Sequence, residues 1–463
     1  MCWKHKQYKI SKVSELKSLF FHRSKKRIVG STKGLSKISQ KTESTYDILH
    51  FLILFGLALL SIVFLWPGKM SPDSMTIYGL AVGGNYRSEW GPLLQFIWRG
   101  ADLLIKGPAL MLILEMAFFW GAVALMAQQF LRSKWFWWFP SLFLYPSILI
   151  SMGFIWKDLF FTFGYMLACG YLTKKTFEKT PFSGKDYFFL MGLLFFATSV
   201  KYQAQFVLFF MMGWILYLSP HLSAFKKGVY ALILTGGILF SIDLLHEKIM
   251  CDKTEETYSW QKVKIYDLAG ITVRSGDNVI PPFLFNGPDG TQDQIKAKYS
   301  HLWEPLITEA DSPLRFTKSE DERRELIKAW QQAVLKHPFA YLSHRSVVLY
   351  KTLAGSDVKR PLRLFLKAHH LPTWPANMTI IFSYIFGLPL SLFYIWLSLK
   401  VRKGTPAAVP LFVLNMMAVT YVLFLFVFSL ASTSRYVYFC VTCLAFSHPF
   451  AYLCWRKRKE GGT

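Results

Sequence analysis

The chain has few charged residues for its length, and this scarcity argues against an ordinary soluble protein. Of its 463 residues, 17% are charged, whereas 53% are hydrophobic and 17% are aromatic. Soluble domains seldom combine so few charges with so many apolar residues. The apolar residues also come in blocks, and a helix of roughly 20 residues is enough to cross a hydrocarbon core of about 30 Å. The sequence therefore predicts a polytopic membrane protein.

Several motifs of soluble enzymes are missing. The sequence has neither a Gly-rich phosphate loop of nucleotide-binding spacing nor a Ser-centred nucleophile elbow. His246-Glu247 begins like a zinc-protease helix, but position 250 is Met, so the second ligand is absent. Of the six cysteines, only Cys251 is expected in an outer domain. We therefore expect no disulfide framework and no nucleotide-driven chemistry.

Acidic residues are scarce as well, with 28 Asp and Glu against 53 Lys and Arg and a formal net charge of +25. Most of the basic residues flank the apolar blocks, where they set membrane orientation. The largest cluster lies in residues 1–46 and includes Lys25-Lys26-Arg27. We interpret 1–46 as a basic cytoplasmic tail near anionic lipid head groups, and a nucleic-acid-binding arm is the less favoured alternative.

The apolar blocks predict an all-α protein with about ten transmembrane helices. We place the spans at 48–66, 108–130, 136–155, 159–173, 188–200, 204–219, 229–247, 376–399, 408–431 and 436–455. The segments 188–200 and 204–219 are either two helices or one broken hairpin. The first block has no cleavage site after it and reads as a retained signal anchor.

The loops between these spans alternate in charge, which predicts the orientation. Every second loop is basic, so both termini, including the basic tail 456–463, are expected in the cytoplasm. The N-terminal membrane domain is then 47–247, with a first outer loop at 67–107. A small extracytoplasmic domain, 248–375, precedes the last three helices, 376–455. Within it, 320–345 reads as an amphipathic helix broken at Pro338.

The first outer loop contains a candidate acid. Asp73 follows Pro72 a short distance after the first span. A carboxylate at a membrane surface can act as a general base or a metal ligand. The alternative interpretation is that Asp73 caps a short helix through Ser74–Leu80. Glu115 lies inside an apolar span, where we expect it to have an internal partner.

Three cations depart from the orientation rule. Lys157, Lys201 and Arg435 fall on the predicted outer side, and Lys157 precedes an acid, Asp158. Charges at the ends of membrane helices are costly unless they have a role. Such cations suit the phosphate of a polyprenyl lipid, to which Arg offers two donors and Lys a point charge. The alternative is that they are snorkelling side chains without a ligand.

Six short segments together carry a resemblance to a known superfamily. They are Ser71-Pro-Asp-Ser74, Trp90-Gly-Pro92, Trp156-Lys157-Asp158, Tyr266-Asp-Leu-Ala-Gly270, His337-Pro-Phe-Ala-Tyr341 with Arg345, and Ser434-Arg435-Tyr436. In this order, over roughly 48–450, they resemble a bacterial branch of the GT-C membrane glycosyltransferases, which use polyprenyl-phosphate sugars. Relatives tend to have a His after the Trp, where this sequence has Gly91, so any role for that position is open.

The resemblance implies sugar transfer to a glycan or lipid acceptor of the cell envelope at the outer face of a bacterial inner membrane. It maps the catalytic acid to Asp73, acting directly or through a divalent cation such as Mg or Mn, and offers Glu89 or Asp158 as a second acid. The following residues are the expected substrate-binding set: Arg87, Trp90, Lys157, Lys201, Tyr202, Arg435 and Tyr436.

Two other classes of protein use similar features. A transporter or flippase for lipid-linked saccharides would also need outer cations, but it should show internal repeats, and none is evident. A non-catalytic scaffold for envelope assembly would make Asp73 a helix cap and 248–375 a binding surface.

Overall fold

The computed structural model describes residues 48–219, 222–251, 258–287, 291–354, 363, 367 and 383–460. No β-strand occurs among them, and the only ladder contacts there are three isolated bridges. Residues 58–463 form one compact unit, and 48–57, the described part of the other unit, are helical. The tail 1–46 lies outside the described residues. The predicted all-α class is confirmed for the described part of the chain.

The helices are numbered here in chain order. Their bounds are α1 Ile48–Leu65, α2 Pro72–Gly83, α3 Pro92–Leu104, α4 Ala109–Ala127, α5 Trp138–Ser141, α6 Pro146–Ser151, α7 Lys157–Glu178, α8 Gly184–Val200, α9 Gln205–Tyr217, α10 Ala224–Asp243, α11 Trp260–Ser275, α12 Gln292–Lys298, α13 Glu304–Ile307, α14 Glu320–Lys336, α15 Pro338–Ala354, α16 Tyr384–Val401, α17 Ala408–Phe428 and α18 Tyr438–Glu460.

Six helical segments in the described residues are long and apolar enough to cross a membrane. They are Ile48–Leu65, Ala109–Phe130, Ala224–Met250, Tyr384–Val401, Ala408–Phe428 and Arg435–Glu460. The chain is therefore an α-helical membrane protein. The count of ten spans remains a prediction, and the first residues of the predicted span 376–399 lie outside the described part.

The predicted span 136–155 is not a continuous helix. It consists of a 3₁₀ turn, Lys134–Trp137, followed by α5, another 3₁₀ turn and α6. Two prolines explain the breaks, because Pro140 and Pro146 cannot donate a backbone hydrogen bond. The segment ends in extended backbone, where Lys69 N donates to Gly153 O (2.5 Å) and Ile155 N donates to Lys69 O (3.0 Å). The prediction of one helix over 136–155 was wrong because a run of apolar residues shows that a segment is long enough to cross a membrane, not that it forms a continuous helix.

The segments 188–200 and 204–219 are two helices separated by a short break. α8 ends at Val200, Lys201 is extended, and α9 begins at Gln205 after one 3₁₀ turn. The Tyr165 hydroxyl on α7 contacts both sides of the turn, lying 2.8 Å from Thr198 Oγ1 and 3.2 Å from Ala204 O. The open choice is thus resolved as two separate helices, with the break at Lys201.

Close helix approaches in the bundle occur at small residues. An added Cβ at Gly170 of α7 would lie 3.2 Å from Ala122 O of α4, and one at Gly164 would lie 2.8 Å from the Ala197 Cβ of α8. Small residues let membrane helices pack backbone against backbone, since lipid provides no hydrophobic drive between them. α7 is consequently held between α4 and α8, and this fixes the position of its first turn.

Helices α11 to α15 share a core of their own. Fourteen buried apolar residues form it, among them Leu268, Leu306, Leu326 and Val348. Helix α14 ends at Lys336 and α15 begins at Pro338, so the predicted break in 320–345 is confirmed. This cluster corresponds to the described part of the predicted domain 248–375, although α10 continues as a π-helical turn, Leu244–Met250, beyond that domain's predicted start.

Candidate functional site

The first outer loop, 67–107, folds as two helices, and Asp73 lies in the first turn of α2. Ser71, not Asp73, is the N-cap: its hydroxyl accepts from Ser74 N at 3.2 Å. The indole Nε1 of Trp156 donates to the same hydroxyl at 2.8 Å. The interpretation of Asp73 as a helix cap is therefore wrong. Its carboxylate is 36% exposed and accepts a hydrogen bond from Arg435 Nη1 at 2.6 Å.

Asp158 lies in the first turn of α7, and its side chain is only 5% exposed. Its carboxylate forms an ion pair with Lys201 and lies 3.7 Å from Arg435 Nε. Burial by itself would raise the pKa of Asp158, but the charges of Lys201 and Arg435 lower it below its ordinary value. The amino end of a helix adds to this stabilisation of the anion. Asp158 is thus a buried carboxylate that stays ionised.

Lys201 is enclosed on all sides by the protein. Its side chain is 4% exposed, and its ammonium lies 5.7 to 5.9 Å from the ring centres of Phe161, Tyr421 and Tyr436. Aromatic faces stabilise a cation that has lost its water. Together with Asp158, these rings make Lys201 a fixed internal charge rather than a snorkelling one.

Arg435 links the two acids. Its guanidinium contacts Asp73 with one nitrogen and Asp158 with another, while the rings of Trp156 and Tyr436 lie 5.3 and 5.6 Å away. The side chain of Arg435 is 25% exposed and that of Lys201 is 4% exposed, so Arg435 is the more accessible of these two cations. We call Asp73, Lys157, Asp158, Lys201 and Arg435 the charged cluster.

Lys157 connects the charged cluster to the turn that contains Glu89. Its ammonium donates to the backbone oxygen of Glu89 at 3.0 Å and lies 4.8 Å from the Trp90 ring centre. Burial lowers the pKa of Lys157 to about 8, against the opposing effect of Asp158. Lys157 thus loses its charge above neutral pH more readily than an ordinary lysine does.

The Glu89 carboxylate forms its hydrogen bond and ion pair with residues near α11. It accepts from Ser259 Oγ at 2.7 Å and lies 3.5 Å from Lys262 Nζ, both near the start of α11. Burial would raise the pKa of Glu89, but Ser259 and Lys262 bring it below the ordinary value. Of the two candidates for a second acid, the structure places Asp158 beside Asp73 through Arg435 and joins Glu89 to α11.

Gly91 fixes the distance between this turn and Lys201. It has a φ of 70°, and an added Cβ would lie 2.8 Å from Val200 O, so a larger residue would separate the two segments. Tyr202 is half exposed and hydrogen-bonds with Ser88 of the same turn. The backbone of Arg87 exchanges two hydrogen bonds with the Gln95 side chain, at 3.2 and 3.0 Å.

A second charged group lies inside the core shared by α11 to α15. Arg345 Nη2 is 2.6 Å from Asp267 Oδ1, both side chains are fully buried, and Trp330 donates to the other Asp267 oxygen at 2.9 Å. The His344 ring lies 3.3 Å from Asp267, over Gly270. Asp267 and Arg345 belong to two of the six segments on which the predicted resemblance depends, but no sequence pattern paired them.

Arg345 also connects this core to the membrane helices. Its Nη1 donates to Ser429 O, just after α17, at 2.7 Å, and Ser432 N donates to His301 O at 3.2 Å. Arg435 follows Ser429 by six positions in the sequence. The core of α11 to α15 thus contacts the segment that carries Arg435 toward the charged cluster.

Two further predictions concern an internal partner for Glu115 and a divalent cation at Asp73. Glu115 is fully buried in α4, and neither carboxylate oxygen has a charged partner among the described residues, contrary to the expected internal pair. No three His, Cys, Asp or Glu side chains in the described part of the chain lie close enough to hold a metal ion. Asp73 faces a guanidinium instead, so the donors around it do not fit a protein-held divalent cation.

Comparisons with family models, with curated proteins and with solved structures found no match to this chain.

Proposed function

We propose that the protein is a membrane glycosyltransferase of the GT-C type, which moves a sugar from a polyprenyl-phosphate donor to a cell-envelope acceptor. The observation that carries the proposal is the convergence of Asp73, Asp158, Lys201 and Arg435 from four distant segments. A scaffold needs no such cluster, and the capping of α2 by Ser71 removes the structural role that would have explained Asp73. The reaction itself rests on the resemblance.

The solvent exposure of each side chain in the charged cluster suggests its role in the reaction. Asp73 is the acid of the charged cluster that solvent reaches, so it would take the proton of the acceptor hydroxyl. The acceptor oxygen then bonds to the anomeric carbon, and the bond from that carbon to the lipid phosphate breaks. The phosphate leaves with the electron pair, and Arg435 and Lys157 stabilise its charge. Lys201 and Asp158 are more deeply buried and would hold Arg435 in position.

The same proposal includes the finer topology. Ten spans would place α7, α8, α9 and the broken segment 136–155 across the membrane beside the six long apolar segments. Both termini would be in the cytoplasm of a bacterial inner membrane. The charged cluster and the core of α11 to α15 would then face outward, where lipid-linked sugars meet envelope acceptors.

The test separates donor binding from transfer. The protein in nanodiscs is assayed for binding of polyprenyl-phosphate sugars and for transfer to an envelope extract. Asp73→Asn should keep donor binding and lose transfer, because the amide keeps the shape and cannot take a proton. Arg435→Ala should weaken donor binding. Matched controls are Asp277→Asn and Arg324→Ala, which are exposed side chains away from the charged cluster.

Three outcomes would contradict the proposal. Transfer that is unchanged in Asp73→Asn would remove the catalytic assignment. Lipid transport without transfer would favour a flippase for lipid-linked saccharides. Absence of any lipid-phosphate binding by the wild-type protein would favour the envelope-assembly scaffold.

A further inference from the structure

A basic cavity lies at the opposite ends of α7 and α9 from the charged cluster. It has a volume of about 600 Å³ and is lined by the end of α7, the end of α9 and the loop from α16 to α17. We define it by its four cations, Lys175, Lys179, Arg402 and Lys403. Its described lining contains no carboxylate, so this lining is positively charged.

The described residues leave most of this charge without an acidic partner. Lys175 forms an ion pair with Asp186 at 2.9 Å. Lys179, Arg402 and Lys403 are exposed and form no ion pair with a described acidic side chain. Three neighbouring cations repel one another unless an anion lies between them. The cavity therefore favours an anionic ligand.

The walls below the cations are mixed rather than purely polar. Leu218, Val409 and the ring of Tyr217 line the cavity with the hydroxyl-bearing Thr176 and Thr405. Trp214 Nε1 donates to Thr176 Oγ1 at 3.0 Å, so this threonine is fixed in place. A phosphate with attached hydrocarbon satisfies both kinds of wall, whereas a small inorganic anion uses only the polar part.

The basic cavity lies where the head groups of membrane lipids are expected. The loop of Arg402 and Lys403 joins two segments that are long and apolar enough to span a membrane, Tyr384–Val401 and Ala408–Phe428. A loop between two such spans lies at the polar boundary of the bilayer. Basic pockets between helices at this level bind the head groups of anionic lipids.

We propose that the basic cavity binds the phosphate head group of an anionic phospholipid, with the acyl chains lying along the neighbouring helices. This inference does not depend on the proposed sugar transfer, because the cavity lies at the other end of α7 from Asp158. It assigns a fixed lipid to the junction of α7, α9 and the loop between α16 and α17.

The test uses the full-length protein in detergent and native mass spectrometry. Phosphatidylglycerol and phosphatidylcholine with the same acyl chains are titrated separately, and phosphatidylglycerol should bind more tightly. The double variant Arg402→Gln with Lys403→Gln should bind phosphatidylglycerol about tenfold to thirtyfold more weakly, since two basic groups are lost. The control Arg458→Gln with Lys459→Gln removes the same charge from exposed residues that do not line the cavity.

Each alternative result is decisive. Equal binding of the two lipids by the wild-type protein would overturn the proposal, and this comparison requires no variant to fold. Equal weakening in the two double variants would show that bulk charge, not the cavity, attracts the lipid. Displacement of phosphatidylglycerol by equimolar inorganic phosphate would assign the cavity to a soluble phosphate and overturn the lipid.

Discussion

Asp158→Asn tests whether the buried ion pair holds the charged cluster together. The variant removes the charge that Lys201 faces while keeping the size of the side chain. The two partners are 5% and 4% exposed, so Lys201 would lose its carboxylate partner with almost no water to replace it, and it would have to stay charged or give up its proton, either of which destabilises the folded protein. Removing one partner of a buried pair costs about 3–5 kcal/mol. We expect the free energy of unfolding to fall by about that amount.

The structure supplies a matched comparison. In the pair of Asp73 and Arg435, the side chains are 36% and 25% exposed, and water screens their attraction. Asp73→Asn should therefore lower the free energy of unfolding by no more than about 1 kcal/mol, the range for exposed pairs. Unfolding of both variants by titration with a denaturing detergent, followed by circular dichroism, measures the difference.

A double variant separates ionic from packing effects. Asp158→Leu with Lys201→Met replaces the pair by apolar side chains of similar volume, which is often nearly neutral in buried sites. It should recover most of the stability lost in Asp158→Asn. If Asp158→Asn and Asp73→Asn lose the same stability, or if the double variant is less stable than Asp158→Asn, the account of a buried pair is refuted.

Three further predictions concern positions around these groups. Gly91→Ala should lower donor binding and stability, because a Cβ there meets Val200 O at 2.8 Å in a backbone with a φ of 70°; lipid titration measures the binding. Binding of a lipid phosphate should weaken as pH rises through about 8, where Lys157 loses its proton, and binding isotherms across that pH range measure this. Gly270→Ala should destabilise the core of α11 to α15, because its Cβ would overlap the His344 ring, and thermal unfolding measures the loss.

Each of these three predictions has its own control variant. Gly100→Ala adds a Cβ in open space within α3 and should be neutral or slightly stabilising. Lys157→Arg keeps its charge across this pH range, so its binding isotherms should not change near pH 8. Gly192→Ala, also in open space, is the comparison for Gly270→Ala. If a glycine variant and its control lose the same binding or stability, the steric contact proposed for that glycine is contradicted. If lipid binding by Lys157→Arg still weakens near pH 8, a group other than Lys157 titrates there.

The class of protein could be predicted from the amino-acid sequence alone. Apolar block length and the sparse charges identified an α-helical membrane protein, because both depend only on local composition. The break at Pro338 was also local, since proline begins a helix more readily than it continues one. The unusual cations Lys157, Lys201 and Arg435 were identified from their positions at the ends of apolar blocks.

The contacts between these groups, in contrast, depend on how the helices pack. Asp73 and Arg435 are separated by 362 positions, and nothing in either segment predicts their contact. The same holds for Asp267 and Arg345, whose buried pair depends on the packing of α11 against α15. Ion pairs across such separations arise from which helix ends meet, and that is fixed by packing over the whole bundle rather than by local sequence.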